Sequence, residues 1–145
     1  GAKSESFIGE KIISACPVST SLNCINLIGK TSLTEMIDIL SNSEMVLCND
    51  SAAAHISSAV GNRCIAITGG GHIDRFLPYP IGFNNSPMVV SETLGCEYCE
   101  WSPKHIIINN KVCFKRVFEE GKNYLCISKI KEDKVIQIVK SNILN

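Results

Sequence analysis

The sequence predicts an α/β protein in which helices flank a parallel sheet. Short apolar segments of strand length alternate with amphipathic segments of helical period, and the connections between them are short. Apolar residues make up 45% of the 145 residues, which is enough for one domain with its own core. Lys+Arg and Asp+Glu both total 14, so the chain lacks the basic surface that nucleic-acid binding requires, and we expect no nucleic-acid partner.

Residues that start or stop regular structure bound the predicted elements. Thr31 or Ser32 caps the second helix, and Glu35 is placed as its capping-box partner. Gly61 stands where a helix needs a C′ residue, and the polar residues 17–23 predict a loop. The predicted helices cover residues 5–15, 32–42, 52–60 and 131–144, and the predicted strands cover residues 24–28, 45–48, 63–68 and 88–90.

The order of these elements predicts a sheet-containing core followed by a less regular region. We expect the core over about residues 1–92, an irregular cysteine-bearing segment over about 93–128 and a closing helix over about 131–144. A doubly wound sheet begins with a strand, whereas this chain begins with a helix, so we expect it to be part of a larger protein. We find no secretory signal and no apolar run long enough to span a bilayer, and therefore expect a reduced, cytoplasmic setting.

Polar residues follow the strand predicted over residues 45–48. Asn49-Asp50-Ser51 comes directly after this strand and directly before a helix, and open α/β sheets bind ligands at that edge. The N–H groups near Ala52–Ala54 lack intrahelical partners and, with the helix dipole, suit a phosphate, to which His55 in the first turn adds a donor. The alternative interpretation is that Asp50 or Ser51 is simply an N-cap and that His55 packs against the sheet.

A glycine loop follows the next strand. Thr68-Gly69-Gly70-Gly71-His72 should face the same crevice, and consecutive glycines permit a close approach of the backbone to a ligand. A triple glycine also occurs in plain flexible loops. Further along, Arg75 either binds a phosphate or pairs with Asp74.

Three motifs, in this order and spacing, resemble glycosyltransferase family 9, the bacterial ADP-heptose:lipopolysaccharide heptosyltransferases. They are Asn26-Leu27-Ile28-Gly29-Lys30-Thr31-Ser32-Leu33, Asn49-Asp50-Ser51-Ala52-Ala53-Ala54-His55 and Arg75-Phe76-Leu77-Pro78-Tyr79. The likeness covers residues 5 to about 80, and the cysteine-bearing tail also resembles some members. It implies the GT-B architecture, in which two Rossmann-like domains enclose the active site. Residues 1–145 would then be a single carboxyl-terminal domain, Rossmann-like and nucleotide-sugar-binding.

The resemblance also implies an activity. The expected reaction is the inverting transfer of a sugar, heptose from ADP-heptose, to the lipopolysaccharide core or a related glycan, with Asp50 and His55 as the candidate catalytic residues. Asp50 would contact hydroxyls of the donor sugar, Lys30 would lie near the nucleotide, and Glu5 would hold the ribose or base. The implied donor-binding residues are Glu5, Lys30, Thr31, Asp50, Ser51, Ala52, Ala53, His55 and Gly70.

The family also implies the partners of the protein. No cofactor is expected beyond the substrate itself, a nucleoside diphosphate sugar (an ADP-sugar). The glycan or lipid-linked acceptor and the general base would belong to an amino-terminal domain absent from this chain, so the chain alone should bind donor without turnover. The full-length enzyme would be cytoplasmic, with peripheral association at the inner face of the bacterial inner membrane.

Two departures from the family pattern bear on the donor site. The glycine that follows Asp-Ser or Asp-Thr in the family is Ala52 here, which requires ordinary φ and ψ angles at that position. The usual Gly-Pro-Thr loop is replaced by Gly69-Gly70-Gly71, so the resemblance does not fix the donor sugar.

Four cysteines in the last third of the chain leave several interpretations open. Cys96, Cys99, Cys113 and Cys126, with His105 as a substitute ligand, fit a structural Zn²⁺ site, but disulfides and free thiols fit as well. The alternative function is therefore a non-catalytic Rossmann-like nucleotide-binding module with a zinc-stabilised interaction segment. The cysteines that lie in or beside apolar runs, and are expected to act as small hydrophobes, are Cys16, Cys24, Cys48 and Cys64.

Overall fold

The computed structural model describes residues 1–70, 73, 75–92 and 125–143. The chain divides into two compact units, Gly1–Ile39 and Leu40–Asn145. A 3₁₀ turn at Lys3–Glu5 precedes the first helix. The helices are α1 (Ser6–Ala15), α2 (Val18–Ser21), α3 (Leu33–Ser41), α4 (Ala52–Ala59), α5 (Leu125–Ser128) and α6 (Glu132–Ile143), and the strands are β1 (Val46–Asn49), β2 (Cys64–Ile67) and β3 (Met88–Val90).

The first unit contains the predicted helix α1, but the strand predicted over residues 24–28 is wrong. This segment is irregular because the side chain of Asn26 bonds both to the backbone two residues further on and to α1. Its Oδ1 atom accepts the N–H of Ile28 at 3.1 Å, and its Nδ2 atom donates to the carbonyl of Ser6 at 3.1 Å. An asparagine that satisfies its own backbone in this way competes with a strand ladder.

The loop predicted over residues 17–23 is also wrong in part, since it contains α2. Pro17 precedes this helix with φ −53°, an angle that already suits a helix start. Thr20 and Ser21 donate their N–H groups to the Pro17 carbonyl at 2.9 Å. The hydroxyl of Ser21 donates to the carbonyl of Val18 at 3.0 Å, so the polar composition of the segment does not prevent a helical turn.

A capping box starts α3, as predicted, and Ser32 rather than Thr31 forms it. The hydroxyl of Ser32 accepts the N–H of Glu35 at 3.3 Å. The carboxylate of Glu35 in return accepts the N–H of Ser32 at 2.7 Å and its hydroxyl at 2.8 Å. The two bonds that the carboxylate accepts lower the pKa of Glu35 from its ordinary value, and the bond from the backbone N–H has the larger effect.

The second unit contains the predicted parallel sheet. Its strands lie in the order β1-β2-β3, with Val46 beside Cys64 and Ile65 beside Met88. The central strand β2 is the most deeply buried, which fits its uninterrupted apolar run. The strands lie within a residue or two of their predicted positions. The core residues are Val46, Ala54, Cys64, Ile65, Ala66, Leu77, Val90 and Cys126.

Helix α4 connects β1 to β2 and packs on both strands. Its end is the predicted one, because Gly61 takes φ +80° and donates its N–H to the carbonyl of Ser58 at 3.1 Å. Asn62 then donates to the carbonyl of Ser57 at 2.8 Å, which completes a Schellman motif. The motif turns the chain directly into β2.

The closing helix is also confirmed, as α6. Val135, Ile138 and Val139 are half-buried on one face, whereas Ile143 at the last position is 48% exposed. Lys134 donates to the carboxylate of Glu92 at 2.8 Å, beyond the end of β3. The end of the segment predicted as irregular over residues 93–128 is helical in α5, and the rest of that segment lies outside the described residues. No helix in the described ranges has the length and apolar character needed to cross a membrane.

Candidate functional site

Asp50 and Thr68 stand side by side at the carboxyl ends of β1 and β2. The N–H of Asp50 donates to the carbonyl of Ile67 at 3.0 Å, and the N–H of Thr68 donates to that of Val90 at 3.0 Å, so both residues continue the sheet ladder. The hydroxyl of Thr68 donates to Oδ2 of Asp50 at 3.3 Å. Because Thr68 is buried and Asp50 is half-buried, the carboxylate is held at the ligand-binding edge of the sheet.

The helix start that follows has the form that the sequence predicts. Ser51 is the N-cap residue in extended conformation, with φ −157° and ψ 174°, and its side chain makes no capping hydrogen bond. Ser51 therefore occupies the N-cap position, as the alternative interpretation has it, but its side chain does not cap the helix. The N–H of Ala54 donates to the carbonyl of Ser51 at 3.0 Å, so the prediction that this N–H lacks a partner is wrong. The N–H groups of Ala52 and Ala53 precede that bond and point out of the helix. Ala52 lies within the helix, so its backbone angles are ordinary, as expected where the family has glycine.

His55 contacts an aromatic residue that was not among the predicted site residues. A hydrogen bond of 2.6 Å joins its Nδ1 atom to the hydroxyl of Tyr79, and the two rings stack with centroids 5.8 Å apart. The ring of Phe83 contacts the ring of Tyr79 edge-to-face, with the centroids 4.9 Å apart. The backbone N–H of Tyr79 donates to the hydroxyl of Ser86 at 3.0 Å. The place of Tyr79 in the quoted Arg75–Tyr79 motif was the signal that could have identified it.

His55 and Tyr79 line an open cleft of about 600 Å³ in the second unit. Its walls are largely apolar and aromatic, and Arg75 supplies a cation whose guanidinium carbon lies 5.0 Å from the centre of the Phe76 ring. Whether Arg75 binds a phosphate or pairs with Asp74 stays open, since Asp74 lies outside the described residues. The cleft therefore combines hydrogen-bonding groups with surfaces on which rings can stack.

The glycine loop is described only at its start. Gly69 and Gly70 are buried directly after β2, on the same edge of the sheet as Asp50. Gly71 and His72 lie outside the described residues, and the assignment of Gly70 to donor binding stays a prediction.

The remaining predicted donor-binding residues belong to the first unit. Glu5 ends the 3₁₀ turn, and its carboxylate accepts the N–H of Ala2 at 2.6 Å. Lys30 follows Gly29, which takes φ +70° where an added Cβ would overlap the backbone of Lys3. Thr31 is half-buried beside it. The structure thus groups Glu5, Lys30 and Thr31 in one unit and residues 50–70 in the other.

The cysteines divide by burial. Cys48 and Cys64 lie on neighbouring strands, and a hydrogen bond joins their sulfur atoms, which are 3.7 Å apart. This bond, together with burial, raises the pKa of Cys48. The same bond lowers the pKa of Cys64. Cys24 is exposed, so its assignment as a packed small hydrophobe is wrong. Cys126 is buried in α5, whereas Cys96, Cys99, Cys113 and His105 lie outside the described residues. Within the described ranges, no cluster of three or more His, Cys, Asp or Glu side chains could hold a metal ion.

The chain is similar to known proteins of one family. The sequence model of glycosyltransferase family 9 (heptosyltransferase) matches residues 1–105. Lipooligosaccharide heptosyltransferase 2 of Haemophilus influenzae is 39% identical over 69 residues, which are 48% of this chain and 20% of that protein. The protein of the same name in Haemophilus ducreyi is 32% identical over 60 residues, which are 41% of this chain and 17% of that protein.

A solved structure is similar in fold. The structure of the Escherichia coli ADP-heptose lps heptosyltransferase II superposes with a TM-score of 0.52 and 19% identity, over 74% of this chain and 33% of that one. This match confirms the Rossmann-like α/β fold. The chain spans about a fifth of the length of the curated relatives it matches. Since the family model covers residues 1–105 of 145, the chain belongs to glycosyltransferase family 9, the heptosyltransferase family.

Proposed function

We propose that this chain is the donor-binding part of an inverting glycosyltransferase that transfers heptose from ADP-heptose to the lipopolysaccharide core or a related glycan. The observation that carries the proposal is the start of α4, whose first N–H groups follow Asp50 in the chain at the carboxyl edge of a parallel sheet. Membership of family 9 and the names of the relatives support the reaction class and the donor.

The diphosphate of the donor is assigned to the start of α4. The N–H groups of Ala52 and Ala53 and the hydroxyl of Ser51 are donors suited to phosphate oxygens, and the helix dipole favours negative charge there. The side chains of these residues are small, so a phosphate can approach the backbone closely. His55, in the first turn, adds a ring N–H donor. These groups would stabilise the charge that develops on the departing diphosphate.

Asp50 is assigned to the sugar. A carboxylate accepts hydrogen bonds from sugar hydroxyls, and the bond from Thr68 orients it for that task. The assignment of Gly70, and of Glu5, Lys30 and Thr31 in the first unit, to nucleotide binding stays a prediction.

In the proposed reaction, a hydroxyl of the acceptor attacks the anomeric carbon of the donor. The bond from that carbon to the diphosphate oxygen breaks, and its electron pair leaves with ADP. The acceptor proton passes to a general base, which we place in another part of the whole protein, together with the acceptor site. The reaction needs no cofactor besides the donor, and we propose that it takes place in the cytoplasm at the inner face of the inner membrane.

Calorimetric titration with ADP and with an ADP-sugar tests the proposal. Asp50→Asn should weaken binding of the ADP-sugar about tenfold, because a charged acceptor is lost, and should leave the affinity for ADP almost unchanged. His55→Ala should weaken both ligands, since both carry the diphosphate.

Asp133→Asn provides the matched control. It removes an exposed carboxylate from the first turn of α6, and both affinities should stay at the wild-type value. If neither ADP nor the ADP-sugar binds to the wild-type chain, the proposed function is wrong.

A further inference from the structure

Tyr79 is held on three sides next to His55. Its hydroxyl lies 2.6 Å from Nδ1 of His55, its ring contacts Phe83, and its N–H donates to Ser86. The segment from Arg75 to Tyr79 is anchored by Leu77, which is fully buried in the core. The phenol is therefore a fixed partner for one nitrogen of the imidazole.

This contact bears on which ring nitrogen carries the proton. A neutral histidine has one donor and one acceptor nitrogen, and the partner of one nitrogen decides the state of the other. When the Tyr79 hydroxyl donates to Nδ1, the proton stays on Nε2. His55 then presents an N–H group on the side away from Tyr79.

The position of His55 on α4 gives this N–H group a target. Side chains in a helix lean towards its amino end, so the ring at the fourth position lies over the first turn. The N–H groups of Ala52 and Ala53 leave the helix in that same turn. An Nε2–H donor would join them at an anion, whereas an Nε2 lone pair would repel its oxygen atoms.

We propose that Tyr79 is a positioning residue that, by donating to Nδ1 of His55, keeps the imidazole proton on Nε2 for the diphosphate of the donor. The inference rests on the proposed function, since it assigns the anion at the start of α4 to a nucleoside diphosphate. Tyr79 acts through His55 and makes no contact with the reacting atoms.

The test combines NMR of the ¹⁵N-labelled chain with titration of ADP. Long-range ¹H–¹⁵N spectra recorded at about pH 8 should show the Nε2–H tautomer of His55 in the wild-type chain. Tyr79→Phe keeps the ring and removes the hydroxyl, and it should give a mixture of tautomers. The affinity for ADP should fall about tenfold in Tyr79→Phe and in His55→Ala, and little further in the double variant.

Ser58→Ala serves as the control for the loss of a hydroxyl. It removes the α4 hydroxyl that donates to the carbonyl of Asn85 at 2.7 Å but leaves Tyr79 and its contacts in place, so the tautomer and the ADP affinity should stay at wild-type values. A drop in affinity for Tyr79→Phe with an unchanged tautomer would reveal a structural role only and overturn the inference. Normal ADP affinity in Tyr79→Phe would overturn it as well, leaving the proposed function intact. A wild-type chain that shows the tautomer but binds no ADP would overturn the proposed function, and the inference with it.

Discussion

Asp50 and Thr68, which lie 18 residues apart in the chain, meet through the register of β1 and β2. Asn49 pairs with Ile67, and the next residue on each strand is therefore a neighbour across the ladder. Thr68 is 1% exposed, so its hydroxyl depends on partners within the protein. The carboxylate of Asp50 is oriented by a side chain from the neighbouring strand.

Substitution of Thr68 by valine tests this support. Valine has nearly the same shape and removes only the hydroxyl, so the fold should lose about 1 kcal/mol or less. The affinity for an ADP-sugar should fall several-fold, because Asp50 loses the bond that orients it, while the affinity for ADP should hold. Titration calorimetry measures both affinities, and denaturant unfolding measures the stability.

Ser58→Ala is the control for Thr68→Val. It removes another buried hydroxyl, which donates to the carbonyl of Asn85 at 2.7 Å, and should reduce stability without changing the ratio of the two affinities. If Thr68→Val also leaves that ratio unchanged, the orientation of Asp50 by Thr68 has no part in donor binding.

At the scale of residues, the sequence predicted which side chains belong to the candidate site better than it predicted the contacts that these side chains make. Asp50, Ser51 and His55 could be chosen because they lie between a strand and a helix. The contact of His55 with Tyr79 spans 24 residues and depends on the path of an irregular segment, for which no period exists in the sequence. The hydroxyl of Thr68 was missed for a related reason, since its partner depends on the register of two strands.

At the scale of elements, local chemistry decided which predictions hold. Helices α1, α3, α4 and α6 have clear apolar periods or end signals, and the structure confirms each within one or two residues. The strand predicted over residues 24–28 fails because apolar composition alone was its support, and the hydrogen bonds of Asn26 draw the backbone into a turn. Helix α2 was missed because Ser and Thr are more typical of loops.

The capping box of α3 predicts a pH dependence of stability. The pKa of Glu35 is lowered in the folded state from its ordinary value of 4.5, so the unfolded chain takes up a proton first as the pH falls. Glu35 therefore stabilises the fold fully above pH 4.5, and this contribution is lost as the pH falls through the folded-state pKa.

Thermal unfolding of wild type and Glu35→Gln as a function of pH measures this contribution. The wild-type chain should have the higher Tm at neutral pH, and the two curves should converge at acid pH, where both side chains are neutral. A difference in Tm that is independent of pH would contradict the charged capping box.

At the scale of the whole molecule, the sequence predicted the α/β class, whereas the state of the cysteine-bearing segment was left open. The alternation of apolar and amphipathic segments suffices for a parallel sheet, and the structure confirms three parallel strands in sequence order among the described residues. The zinc, disulfide and free-thiol interpretations of the cysteine-bearing segment stay open, because three of its four cysteines lie outside those residues. Family membership rests on residues 1–105, a range that includes all three quoted motifs.

The central claim is that the start of α4 binds the diphosphate of a nucleotide-sugar donor. Titration of the ¹⁵N-labelled chain with ADP and an ADP-sugar, followed by amide ¹H–¹⁵N spectra, measures it most directly. We predict that the amides of Ala52 and Ala53 shift most with both ligands and saturate, because their N–H groups would bind the phosphate oxygens. Saturating shifts that leave the amides of Ser51 to Ala54 unchanged, or no saturating shift with either ligand, would contradict the account.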